Sequence, residues 1–214
     1  MSKFNMGILG GFSGKTGTVI GSTWKGKNVM RALPAKKKNR QATPNQLEQQ
    51  EKFKLMVQFL SGLSDLLNIT FRSQATKISG FNAAVSYNIQ SAIVGDQSPF
   101  SIDFTKAKLS QGNLPLVATP KAEAAPDHQV SFSWRYNAGV TSARPTDVAV
   151  LIVYCPALKQ SVYSIEGATR ADQLHAIDAG VFAGYDVETW LAFVREDGMK
   201  ASNSIYTGSV TLIP

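Results

Sequence analysis

The spacing of apolar positions shifts along the chain, and each shift predicts a different kind of element. Residues 1–34 are rich in glycine, and from Thr16 the pattern is short and β-like: Thr18, Val19 and Ile20, then Ser22, Thr23 and Trp24. A turn at Lys25-Gly26-Lys27-Asn28 follows, and Val29 to Leu33 return as a second strand. Glycine near such a turn supplies positive φ, so the segment predicts a hairpin. Pro34 ends it, and residues 36–40 form a charged connector. Thr43-Pro44-Asn45-Gln46 then has the order of a capping box, with proline at the first helical position. Leu47, Phe53, Met56, Val57, Leu60, Leu63, Leu66 and Leu67 follow close to a helical period, which predicts an amphipathic helix over residues 44–67. Phe81, Ala84, Val85, Ile89, Ala92 and Ile93 predict a second helix over 81–94, closed by Gly95-Asp96. Residues 101–109 alternate Ile102 and Phe104 with Asp103 and Thr105, which predicts a strand.

Beyond Gly112 the character changes. Pro115, Pro120 and Pro126 punctuate an alanine-rich stretch, and only strand patterns follow. Val130, Phe132, Trp134 and Tyr136 alternate with polar residues, whereas residues 148–154 form a continuous apolar run, as a strand buried on both faces does. Further strands are predicted over 161–165, 173–179, 186–195 and 204–213. Short strands between Gly, Pro and Asp turns are the pattern of a β-sandwich. The run Tyr185 to Val194 resembles the penultimate strand of a fibronectin type III or immunoglobulin-like domain, and Val130-Ser131-Phe132-Ser133-Trp134 resembles its early tryptophan-bearing strand. The expected fold is an α+β N-terminal part over residues 1–112, followed by an all-β immunoglobulin/fibronectin-like sandwich over 113–214. A fold of that kind implies nothing about function.

The chain has 214 residues, 43% of them hydrophobic, enough to bury a core. The single cysteine, Cys155, excludes an intramolecular disulfide framework and a cysteine-based zinc cluster. His128 and His175 are the only histidines, and no run approaches the ~18 apolar residues of a membrane span. The charge is distributed unevenly. Nine of the 22 basic residues and none of the 15 acidic ones fall within residues 1–40; the first acid is Glu48. A strongly positive N-terminal segment on a nearly neutral body points to an anionic partner (nucleic acid, a membrane surface or an acidic protein surface) or simply to a solvated basic loop. The apolar cluster at residues 6–12 is interrupted by Gly7, Gly10 and Gly11 and lacks the core of a secretory signal. Cytoplasmic synthesis is therefore expected, with the final location left open between a released particle and an extracellular assembly.

Each candidate chemistry has a plainer alternative. Gly10 to Thr16 approximates a phosphate loop, but only three residues separate Gly10 from Gly14-Lys15-Thr16 where the motif needs four. A tightly turning glycine segment is the simpler expectation. Cys155 follows an apolar strand and precedes Pro156, as a packed thiol does; His128 adjoins Asp127 in a turn, and His175 sits on a strand. Asp172, Asp178, Glu188, Glu196 and Asp197 suit strand faces and turns, and no spacing singles out a catalytic pair. The expectation is a protein that is not an enzyme and uses no cofactor or metal. The basic segment stands apart: Lys15, Lys25, Lys27, Arg31, Lys36, Lys37, Lys38 and Arg40 are candidates for anion or nucleic-acid contact. Trp24 beside them is either a stacking platform or a core residue.

Motifs along the whole chain resemble an uncharacterised family of Bacteroidota proteins of about this length. They are Gly14-Lys15-Thr16-Gly17-Thr18-Val19, the Lys25-Gly26-Lys27 turn with Arg31-Ala32-Leu33-Pro34, and Thr43-Pro44 through Gln46; further along come Phe81 to Asn88 and Leu109 to Pro115. The resemblance implies one intact chain and carries no activity or site. The functional expectation is a structural or adhesive subunit that self-assembles into a filament or virus-like particle, its glycine-rich arm adding strands to a neighbour's sheet edge. The alternative is a nucleic-acid-binding protein using residues 15–40.

Overall fold

The computed structural model describes residues 3–4, 11–24, 26–34, 41–137 and 142–212. The chain divides into the units Met1–Thr43 and Pro44–Pro214. In the first, β1 (Lys3–Phe4), β2 (Phe12–Thr16), β3 (Val19–Trp24) and β4 (Lys27–Ala32) form an antiparallel sheet in that order. The predicted hairpin is β3–β4, with Trp24 paired to Lys27 and Val19 to Ala32. A second tight turn at Gly17-Thr18 adds β2, so the glycine-rich residues expected to form only a turning segment include a strand. Gly21 is required there: a Cβ would lie 2.2 Å from the Phe12 carbonyl oxygen and 2.7 Å from its ring.

The second unit begins with α1 (Pro44–Leu60), a 3-10 turn (Ser61–Leu63) and α2 (Ser64–Thr70), in place of one continuous helix to Leu67. The break falls at Gly62, where a Cβ would meet the Ser161 hydroxyl at 2.6 Å, so the helix yields to a close approach of the sandwich. Leu47 and Phe53, counted on the apolar face, are exposed; Met56, Phe59 and Leu60 are the buried residues of α1. The second predicted helix is α3 (Gly80–Ser91), with the Ser79 hydroxyl accepting a hydrogen bond from the Asn82 N–H. The strand expected over 101–109 is cut short. Only β6 (Ser101–Ile102) pairs, with β5 (Ile93–Val94), because the Asp103 carboxylate accepts from the Thr105 N–H and hydroxyl and turns the chain. Those bonds and Lys106 hold the Asp103 carboxyl below the ordinary range.

Seven strands then form two sheets. β11 (Leu174–Asp178), β8 (Gln129–Arg135) and β7 (Ala118–Ala125) make one; β10 (Gln160–Ser164), β9 (Val148–Cys155), β12 (Asp186–Val194) and β13 (Ile205–Thr211) make the other. This three-plus-four order, with β8 and β9 consecutive but in opposite sheets, is the immunoglobulin/fibronectin-like arrangement expected. β7 is the strand that the proline-punctuated stretch concealed. It lies on a sheet edge with an irregularity between Ala118 and Lys121 that accommodates Pro120. Among the described residues, no helix is long and apolar enough to cross a membrane.

The second unit does not part near Gly112. Phe59, Leu60 and Leu63 from the helical layer share one core with Val150, Ile152, Tyr154, Trp190 and Ala192 on the outer face of β9 and β12. Residues 108–114 are pinned on both sides. Asn88 of α3 donates to the Lys108 carbonyl at 2.8 Å and accepts from its N–H at 2.8 Å. The Ser110 hydroxyl donates to the Ser202 carbonyl at 2.6 Å, and Ser204 accepts from the Leu109 N–H at 2.9 Å. By contact, helices and sandwich lie in one unit, Pro44–Pro214, and share the core described above.

Phe132, Leu151, Phe182, Leu191 and Phe193 fill the space between the two sheets. At one end of it sits a fully buried ion pair, with Arg170 Nε 3.2 Å from Asp147 Oδ2. The Arg170 guanidinium also lies 4.3 Å from the Phe193 ring centroid and donates to the Pro115 carbonyl at 3.0 Å. Burial pulls the Arg170 pKa down, and the Asp147 carboxylate opposes that shift. Removing Arg170 leaves the buried Asp147 carboxylate only the Arg144 N–H at 3.0 Å and the longer approach of Arg195 Nε at 3.9 Å, and breaking such a pair is costly. Arg170→Met is accordingly expected to lower the unfolding free energy by about 3–5 kcal/mol in urea titrations, and a loss under about 1 kcal/mol would contradict this role.

Candidate functional site

Side chains alternate between the faces of a strand, so the register of the first unit decides which of its residues act together. Ile20 pairs with Arg31 on one side and Lys15 on the other; Ser22 pairs with Val29, and Trp24 with Lys27. Lys15, Lys27, Arg31 and Trp24 therefore share one face with Ser13, Ile20, Ser22 and Val29. The opposite face carries Phe12, Val19, Gly21, Thr23, Asn28 and Met30. Hydrogen bonds agree with this division: Arg31 Nη2 donates to Ser22 Oγ at 3.3 Å, and Thr23 Oγ1 donates to Asn28 Oδ1 at 3.3 Å.

Trp24 is 65% exposed, which excludes its reading as a core residue. With Ser22, Thr23, Val29 and Arg31 it lines a shallow depression of about 350 Å³. Three of the eight basic candidates, Lys15, Lys27 and Arg31, are brought together by the register. Lys25, Lys36, Lys37, Lys38 and Arg40 lie outside the described residues. Ser22 joins this face by the alternation of β3 itself, and Ser13 through the pairing of β2, which the sequence pattern did not reveal.

The remaining chemical candidates have structural uses. Gly14 and Lys15, read as a possible phosphate loop, lie within strand β2. Cys155 is fully buried between the sheets. His175 lies on β11, paired with Phe132, in the sheet opposite that of Cys155. Asp172 accepts from the Thr169 N–H at 2.6 Å and hydroxyl at 2.8 Å, which holds its carboxyl below the ordinary range. Asp178 and Asp197 likewise accept N–H bonds, from Gly180 and Met199, in turns. Glu188 accepts from the Tyr206 hydroxyl, whose pKa is raised by burial and by that carboxylate. A second cleft of about 230 Å³, walled by Phe59, Ile102, Phe104 and Tyr154 with Lys159 at hand, is mainly apolar.

These features define a mostly β protein: a sandwich carrying a helical layer, preceded by a small basic sheet. The chain belongs to a family of unknown function, DUF6266, whose model matches residues 11–208. That span contains every motif quoted for the family resemblance. Among solved structures, the chain is similar to the fn3 domain of the human collagen alpha-1(XX) chain, at 11% identity and a TM-score of 0.35, over 48% of this chain and 89% of that one. The sandwich assignment rests on the strand order and not on that likeness. No curated protein matches the chain.

Trp134 and Trp190 are buried, so Trp24 is the tryptophan that an ionic quencher reaches. Iodide is expected to quench one component of the fluorescence, and Trp24→Phe to remove that component. Undiminished quenching in the variant would place the exposed ring elsewhere.

Proposed function

We propose that the protein is a non-enzymatic structural or adhesive subunit that assembles with copies of itself through its N-terminal sheet, into a filament or a virus-like particle. One observation carries this reading. Among the described residues of Met1–Thr43, Gly21 alone is buried, while Met30 is 71% exposed and Trp24 and Leu33 are exposed too. A small sheet without a core of its own is marginal in water. Burying the face that carries Phe12, Val19 and Met30 against another copy supplies the missing core. At ~25 cal/mol per Å² of apolar area removed from water, that burial favours association.

The face is not self-evidently symmetric, and a heterologous contact that fails to close produces an open filament. The use of the buried thiol and the turn-forming carboxylates in packing supports a non-enzymatic role. An origin in Bacteroidota, and a released or extracellular destination, belong to the same reading.

Size-exclusion chromatography with light scattering on the full chain, in low and high salt and after nuclease, tests it. A species many times the 23.1 kDa chain mass that survives nuclease is expected. Met30→Glu is expected to dissociate it, because a carboxylate would then be buried at the contact. A monomer of the full chain under all conditions would overturn the proposal.

A further inference from the structure

The face of the sheet opposite Met30 is cationic and aromatic, and it is not needed for the contact proposed above. We infer that this face binds single-stranded nucleic acid, with bases stacking on Trp24 and phosphates held by Lys15, Lys27 and Arg31. The argument begins with register. Lys15 and Arg31 flank Ile20 on neighbouring strands, so their backbones are roughly 10 Å apart, two strand spacings. Trp24 lies four residues along β3 from Ile20, about 13 Å away, with Lys27 directly across from it. Lys27 thus stands level with the indole, and Lys15 and Arg31 lie together about 13 Å further along the same face, which makes a track a few nucleotides long.

Charge supplies the second element. The sequence has no carboxylate before Glu48, so no acidic side chain of this segment competes for the cations. Arg31 donates to Ser22, which holds the guanidinium against the sheet beside the depression that Trp24 and Val29 line. Ser13 and Ser22 add uncharged hydroxyls to the same face. Phosphates provide affinity that falls with salt, and stacking adds affinity without reading sequence.

The tryptophan decides between polyanions. A duplex keeps its base faces stacked internally, and an acidic protein surface has no use for a ring 65% exposed beside a lysine on a cationic face. A single strand offers both the phosphates and the free base faces that this surface matches.

Titration of the full-length protein with a short oligothymidine tests the inference, read by fluorescence and anisotropy at several salt concentrations. Binding is expected to quench Trp24 and to weaken with salt at a log–log slope of about −2 or steeper, since three phosphates neutralised on a single strand give ~0.7 each. Trp24→Ala is expected to weaken binding roughly tenfold to a hundredfold. Lys27→Glu combined with Arg31→Glu is expected to weaken it further and flatten the salt slope. Trp24→Phe, which keeps a stacking ring, retains most of the affinity and guards against a general defect.

Both Trp24 variants leave the assembled size unchanged, and Met30→Glu leaves oligothymidine binding unchanged, so failure here is distinguishable from failure of assembly. Absence of binding would overturn the inference. So would equal affinity for duplex, equal competition by polyglutamate, or an unaltered affinity in Trp24→Ala; the second of these would point instead to an acidic protein partner.

Discussion

The second unit depends on one strand being buried on both sides. β9 runs Val-Ala-Val-Leu-Ile-Val-Tyr-Cys, and from Ala149 to Cys155 every residue is buried. Ala149, Leu151, Val153 and Cys155 face the partner sheet, while Val150, Ile152 and Tyr154 face the helices. In a two-layer sandwich the outer face of this sheet would be polar and solvated, as antiparallel sheets commonly are. Here Phe59 meets Tyr154 edge-on with ring centroids 4.8 Å apart, and Phe104 and Trp190 complete the cluster. Such pairs contribute about 0.5–1.5 kcal/mol each beyond the area they bury. The helices are therefore part of the sandwich's stability, and the strap at residues 108–114 holds them to it.

The patterns that survive into the structure are those whose cause is local. The alternation of Val130, Phe132 and Trp134, and the unbroken run at β9, report directly which faces are covered. The differences come from contacts and exceptions that periodicity does not encode. Helix α1 gives way at Leu60 to a 3-10 turn, within which Gly62 leaves room for Ser161, about a hundred residues away in sequence. Residues 101–109 alternate as a strand does, but Asp103 captures its own downstream N–H and turns the chain. Pro120 concealed β7 because an edge strand tolerates what a central one does not.

The candidate site was half legible. Lys15, Lys27 and Arg31 stand out in the sequence as uncompensated charge. Lys27 and Arg31 share a face with Trp24 through the β3–β4 hairpin; that Lys15 joins them follows from the pairing of β2, which its glycines and its likeness to a phosphate loop obscured. The two faces of this sheet differ in chemistry: Phe12, Val19 and Met30 on one, cations, hydroxyls and indole on the other. The assembly proposed above would leave the second face open, and repetition of subunits would then array basic faces along a polymer. Multivalent display of that kind raises affinity for a long strand without any new contact.

Native-state hydrogen exchange of the full chain tests most directly the claim that helices and sandwich are one cooperative unit. Amides of α1 around Met56 to Leu60 and amides of β9 are predicted to exchange with the same free energy and the same denaturant dependence, that of global unfolding. The strands of Met1–Thr43, among whose described residues Gly21 alone is buried, are predicted to exchange at lower free energy than either. Exchange of α1 through a separate, cheaper opening, with β9 still protected, would contradict the account.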